Sequence, residues 1–344
     1  MAVVISRKYE ILDLLGQGGM GIVYKVRHMA LDALYALKAL PREFMEQPEM
    51  VRRFYREARL MAQLLHPNIV PVFDVGQDDA IPCHYFVMEY LRGRNLRQYL
   101  RDKGPLPLLE VLDIARQVAK ALSYAHLHNP PVIHRDIKPS NIMVEEGSGR
   151  VVVMDFGIAK ELDRGEMTKS GLVLGTLHYC APEQLRNEPL DGATDVYALG
   201  MVIYEAYEGK PFFAGLAEHE VIARLLSESE ENQPRFERPT PPAFVSLVAR
   251  AIAKSRVRRY PNVDALFHDL EVCWSMLEDT KTVAVSSPMR RENSPRTPEP
   301  PGDMAELEEQ IRRLEGERQK RRAIAAQTQT RESREQAVKE GGGR

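Results

Sequence analysis

His134-Arg135-Asp136-Ile137-Lys138-Pro139-Ser140-Asn141 is followed, after the apolar run Val151-Val152-Val153-Met154, by Asp155-Phe156-Gly157. These two stretches bring together a carboxylate that can act as a base and a lysine that can face a phosphate. They also supply an amide and a second carboxylate that can bind a hard cation. Together they can move a phosphoryl group from a nucleotide to a hydroxyl.

Two stretches nearer the N-terminus carry related chemistry. Gly16-Gln17-Gly18-Gly19-Met20-Gly21-Ile22-Val23 can fold flat over a polyphosphate, because side chains at the glycines would keep backbone N–H groups from the phosphate oxygens. A ligand-free hairpin turn and a dinucleotide fingerprint share this pattern. The fingerprint requires a helix next, and a β-like Val23-Tyr24-Lys25-Val26 follows instead. Lys38 lies between Leu37 and Ala39 in an apolar strand, where an unpaired ammonium would be costly, so a carboxylate partner is expected.

Composition narrows the class. The 344 residues exceed one usual hydrophobic core, and 44% apolar with 28% charged residues suits an ordinary soluble protein. A net charge of −2 argues against a polyanion partner, so no nucleic acid is expected. The three cysteines, Cys83, Cys180 and Cys273, have neither metal-ligand nor redox spacing. A reducing, cytoplasmic compartment is the expectation. Met1 to Glu10 lacks the pattern of a secretory signal, and the apolar stretch Val196 to Tyr207 is too short to span a membrane.

The elements that must position these residues change character along the chain. Short apolar or alternating runs at Tyr9 to Leu15, Gly21 to His28, Leu34 to Leu40, Ile69 to Val75 and Tyr85 to Tyr90 predict a five-stranded antiparallel sheet. One helix interrupts it. From Glu49 to Leu65 the apolar residues Val51, Phe54, Ala58, Met61 and Leu65 recur at helical spacing, with Arg56 and Glu57 beside the stripe. After Gly93 the pattern is helical: Leu108 to His128, an almost wholly apolar Asp195 to Glu208, His219 to Ser227, Pro242 to Lys254 and Val263 to Leu277. Short strands at Ile142 to Val144 and Val151 to Met154 hold the chemical motifs at their edges.

On these motifs, with Ala181-Pro182-Glu183-Gln184, residues Tyr9 to Leu277 resemble a Hanks-type serine/threonine protein kinase, most similar to bacterial members. The resemblance implies an α+β bilobal protein-kinase fold: an N lobe over 9–91 with the sheet and one helix, and a mainly helical C lobe over 92–277. It implies ATP and Mg²⁺ as cofactors and protein serine or threonine hydroxyls as acceptors. Lys38 would hold the α and β phosphates, oriented by Glu57; Glu49 and Glu46 fit the register less well. Asp136 would orient the acceptor proton, Lys138 would neutralise the transferring group, and Asn141 and Asp155 would bind Mg²⁺. Phe156 would pack beneath the helix carrying Glu57, and His134 would be a packed internal residue.

The purine would meet the backbone of Glu89-Tyr90-Leu91, with Met88 as gatekeeper and Val23, Ala36 and Met143 sandwiching the ring. Thr168 and Ser170 match regulatory phosphorylation positions, which Arg135 could pair with. Thr176, with Lys138, argues for serine/threonine over tyrosine specificity. Glu183 would pair with Arg259, for which Arg258 competes because Ser255-Arg256 replaces the usual Asp-Pro. Asp195 would tie the catalytic-loop backbone. A scaffold that keeps the fold without turnover and a metabolite kinase are the alternatives.

Residues 278–303, rich in Ser, Pro, Thr and Arg, read as a disordered linker. In the charged tail 304–344, Met304, Leu307, Ile311 and Leu314 sit at heptad positions, but Arg318 and Arg321 follow. A seam of about two heptads is short of a coiled coil, so an exposed fraying helix or disorder is expected. Self-association through the kinase domain or the tail stays an open alternative.

Overall fold

Gly-rich and polar turns cut the first ninety residues into strands that pair largely in sequence order. The computed structural model describes residues 3–18, 21–78, 81–156, 177–227 and 231–285, with side chains through 278. The strands are β1 (Val4–Ile5), β2 (Tyr9–Gly18), β3 (Gly21–His28), β4 (Ala33–Ala39), β5 (Val72–Asp78) and β6 (Cys83–Glu89). They form one antiparallel sheet in the order β1-β2-β3-β4-β6-β5. The two-residue β1 adds a sixth strand to the expected five: Val4 and Ile5 pair with Glu10 and Tyr9, and Ile5 and Tyr9 are both buried.

Strand alternation separates two layers. Leu37 and Ala39 of β4 point into a cluster with Val26, Tyr85 and Val87, whereas Ala36 joins Phe86 and Met88 in the main core. Lys38 therefore faces the main-core side of the sheet, opposite Phe86 in the register.

Helix α1 (Pro48–Gln63) starts with Pro at its first position and buries Phe54, Glu57, Ala58 and Met61. The expected strand at Ile69 to Val75 begins only at Val72. Ile69 instead bridges Val153, with Val70 N–H to Val153 O at 3.1 Å and Val153 N–H to Asn68 O at 2.8 Å. Pro71, which lacks an N–H, separates this tie from the sheet proper.

The second lobe contains a small sheet absent from the sequence expectation as a unit: β7 (Gly93–Asn95), β8 (Ile142–Glu145) and β9 (Val151–Val153), in that order. Helix α2 (Leu96–Lys103) follows β7 directly. Its Asn95–Gln98 capping box satisfies N–H groups at both positions, with Gln98 N–H to Asn95 Oδ1 at 2.9 Å. Then come α3 (Leu108–His126), α4 (Pro182–Leu185), α5 (Gly192–Glu208), α6 (Glu218–Leu226), α7 (Pro242–Ala251) and α8 (Val263–Val285). α5 is buried on all sides, as its apolar sequence predicts, and it ends at Gly209, whose φ of 77° suits glycine. α8 continues past Leu277 to Val285. Among the described residues, no helix is long and apolar enough to cross a membrane.

The lobe is pinned by a buried ion pair. Arg259 Nη1 lies 2.7 Å from Glu183 Oε1, and the guanidinium also donates to the carbonyls of Ala253, Ala193 and Lys254. Arg258 sits outside, 3.5 Å from Glu231. Arg259 thus takes the pairing for which the two arginines competed.

Candidate active site

Lys38 is where the site begins. Its strand register places it against Phe86, and burial of Phe54, Ala58 and Met61 locks α1 so that Glu57 faces it. The ammonium Nζ lies 2.9 Å from Glu57 Oε1 and 2.9 Å from Asp155 Oδ1. The Lys38 and Glu57 side chains are only 7% and 6% exposed. Burial alone would push the Lys38 pKa down, but the Asp155 and Glu57 carboxylates outweigh it and hold the ammonium protonated, above its ordinary range. Glu49 is engaged elsewhere, with Arg53 at 2.7 Å.

The Gly-rich turn approaches the same lysine. A Cβ at Gly21 would stand 2.9 Å from Lys38 Cε, so glycine there keeps the lysine's space open. Gly16, Gln17 and Gly18 end β2, and Ile22 and Val23 open β3. Gly19 and Met20, between them, lie outside the described residues.

The catalytic loop is oriented from beneath. Asp195, fully buried on α5, accepts from the backbone N–H groups of His134 and Arg135, both at 2.8 Å, and contacts His126 Nε2 at 2.8 Å. Burial would raise the Asp195 pKa, but these bonds and the neighbouring histidines hold it below the ordinary carboxylate value. Arg135 adopts a φ of 67°, a turn that the two bonds to Asp195 over-determine.

His134 is fully buried, with its ring 4.5 Å from that of Phe156. Its Nε2–H donates to Met154 O at 3.0 Å, and its Nδ1 accepts from Asp136 N–H at 3.2 Å. Both nitrogens are therefore committed to the neutral ring, and burial lowers the pKa. The packed role expected for His134 is the one it has. Phe156 is fully buried and belongs to the main core that also includes Phe54 and Met61 of α1.

Asp136 is engaged by two side chains of its own loop. Lys138 Nζ is 2.9 Å from Asp136 Oδ2, and Asn141 Nδ2 donates to Asp136 O at 2.9 Å and Oδ2 at 3.2 Å. With its NH₂ on Asp136, the Asn141 side chain keeps its acceptor oxygen for another partner. Asp155, two residues beyond the end of β9, has a φ of 50°. No group of three or more His, Cys, Asp or Glu able to hold a metal occurs among the described residues. One carboxylate and one amide oxygen suit a cation such as Mg²⁺, which keeps water and phosphate oxygens as its other ligands.

The residues expected to meet the purine are apolar and packed: Ala36, Met88 and Leu91 are buried, and Val23 and Met143 pack against the core. Ala36 and Met88 are register partners. Glu89 donates its backbone N–H to Pro71 O at 3.2 Å, and its side chain pairs with Arg150. Three residues that organise the site carry no motif signal: Asn68, which ties the lobes through Val151 and Gln117; His126, on Asp195; and Arg150. Their roles arise from contacts between distant segments. Thr168, Ser170 and Thr176 lie outside the described residues.

The profile of the protein kinase domain family matches residues 9–270. A probable serine/threonine-protein kinase of Clostridium perfringens is 39% identical, aligned over 78% of this chain and 38% of its own. Serine/threonine-protein kinase PrkC of Bacillus subtilis is 36% identical, over 78% of this chain and 41% of its own. The crystal structure of the Mycobacterium tuberculosis PknI kinase domain superposes with a TM-score of 0.60 and 28% identity, covering 79% of this chain and 98% of that one. The chain belongs to the protein kinase family. Its domain is of the Hanks serine/threonine type, similar to those of PrkC and PknB. The chain spans about two fifths of the length of the curated relatives it matches.

Proposed function

We propose that this domain transfers the γ-phosphoryl group of ATP, with Mg²⁺, to serine or threonine hydroxyls of proteins. The observation that carries the reading is Lys38, held at 2.9 Å from both Glu57 and Asp155 beside an oriented Asp136. That is the pairing a phosphate-binding lysine requires. Mg²⁺ would be held by Asp155 and Asn141 and would supply charge neutralisation between the phosphates.

The remaining work falls to the chain itself. Lys38 binds phosphate oxygens, and Glu57 stops it from turning away. Asp136 receives the acceptor hydroxyl and orients its proton, while Lys138, already on Asp136, offsets the charge on the transferring group. The apolar wall from Val23 to Met143 excludes water from the purine.

A scaffold without turnover has no chemical need for Lys38, Glu57, Asp136, Lys138, Asn141 and Asp155 together, which favours the enzyme. Thr168 and Ser170 are proposed as regulatory phosphorylation sites, with autophosphorylation as the switch. A cytoplasmic location suits an ATP-dependent enzyme whose cysteines are all free thiols. The test is transfer from Mg-ATP to a generic protein substrate, beside Asp136→Asn. Transfer well above the variant is expected, and transfer equal to it would overturn the reading.

A further inference from the structure

Arg150 stands at the end of the turn joining β8 to β9, immediately before the strand that runs to Asp155. Its guanidinium joins two carboxylates that lie far apart in the chain. Nη2 is 2.5 Å from Glu89 Oε1 and 3.4 Å from Glu145 Oε1, and Nε is 3.3 Å from Glu145 Oε2. Glu89 closes β6, next to Met88 of the purine wall, whereas Glu145 closes β8.

The turn itself is braced. Ser148 Oγ donates to Glu145 Oε2 at 2.7 Å and accepts from Arg150 N–H at 3.1 Å. Backbone stitching runs alongside, with Glu146 N–H to Arg92 O at 2.8 Å and Gly93 paired with Glu145. A Cβ at Gly93 would fall 2.1 Å from Val144 O, so connection and hairpin are in closest contact there. Arg150 adds a side-chain bond to that contact. An isolated surface pair would be worth little. Here one planar fork serves two carboxylates, and all three side chains are 24–30% exposed, partly shielded from water.

We infer that Arg150 is a positioning residue for the nucleotide: it holds the Glu89 end of the purine-binding connection in register with the β9 strand that presents Asp155. The inference rests on the kinase reading. Without Arg150 the Glu89 carboxylate loses its partner, and the connection gains freedom where the purine edge must be met. The cost falls on binding nucleotide, since Asp136, Lys138 and their support from Asp195 lie elsewhere.

The test measures steady-state transfer and ADP binding by calorimetry for the full chain, Arg150→Ala, Arg150→Lys, Arg150→Glu and the charge swap Glu89→Arg with Arg150→Glu. Arg150→Ala is expected to raise KM for ATP and weaken ADP binding about three- to tenfold with kcat within about twofold. Lysine should recover part of the loss, and the swap more of it than Arg150→Glu alone. If alanine does not fold, Arg150→Gln serves instead. Unchanged KM and ADP affinity, or a fall confined to kcat, would overturn the inference. Absence of transfer and ADP binding in the unmodified chain would instead overturn the kinase reading beneath it.

Discussion

Lys38 carries a charge in a place where water cannot stabilise it, and two carboxylates take over that task. Replacing it with methionine keeps the stem's volume but removes the contact to phosphate, so kcat/KM should fall about 10²- to 10³-fold in a transfer assay. Glu57→Gln should produce a smaller loss, because the lysine keeps Asp155. Arg259 is a different case, since its charge does structural work. Arg259→Met leaves Glu183 buried without its partner and should cost about 3–5 kcal/mol in urea unfolding. Removing both charges with Glu183→Leu should restore much of that. The residues with chemistry were legible in the sequence because their motifs resemble those of the kinase family, which pairs each charge type with a set spacing. The Arg150–Glu89 and His126–Asp195 contacts were not, because their partners are 61 and 69 residues apart in the chain.

Elements were legible where one face is apolar at a regular period. The stripe in α1, the mostly apolar α5 and the apolar runs of β3 and β4 all announce themselves this way. Shorter pieces escaped: β7 has three residues, α2 has eight, and each is stabilised by what it packs on rather than by its own pattern. The Ile69 to Val75 run looked like one strand because hydropathy does not register that Pro71 divides two hydrogen-bond partnerships. Helix packing makes its own prediction. A Cβ at Gly200 of α5 would lie 2.7 Å from Ala251 Cβ and 2.8 Å from Ile252 Cγ2. Gly200→Val should therefore push α7 from α5 and lower stability by about 1–3 kcal/mol, measured by denaturant midpoint. The same substitution on an exposed helix face would cost less.

For the whole molecule, buried titratable groups tie stability to pH. His134 has its pKa lowered by burial below the ordinary 6.5, so the unfolded chain takes up a proton first as pH falls. Stability is then lost from about pH 6.5 downward to the folded-state value. Glu183 and Asp195, both held below their ordinary 4.5 and 3.8, add stability that is present above those values and lost further into acid. All three have the same sign. Burial raises the pKa of Glu57 and Glu205, which opposes this slope, so the variant isolates the histidine: His134→Phe should make the urea midpoint fall less between about pH 7 and 5 while lowering it at neutral pH. The flattening is partial, because His66 and His178 are shifted the same way by burial.

In the proposed function, that buried, charge-paired frame serves one reactive arrangement, Asp136 opposite a nucleotide anchored by Lys38. The most direct test is phosphoamino-acid analysis of a protein substrate after incubation with γ-labelled ATP and Mg²⁺, for the unmodified chain and for Asp136→Asn. The prediction is phosphoserine or phosphothreonine with the former and none with the latter. Equal label from both chains, or label confined to phosphotyrosine, would contradict the account.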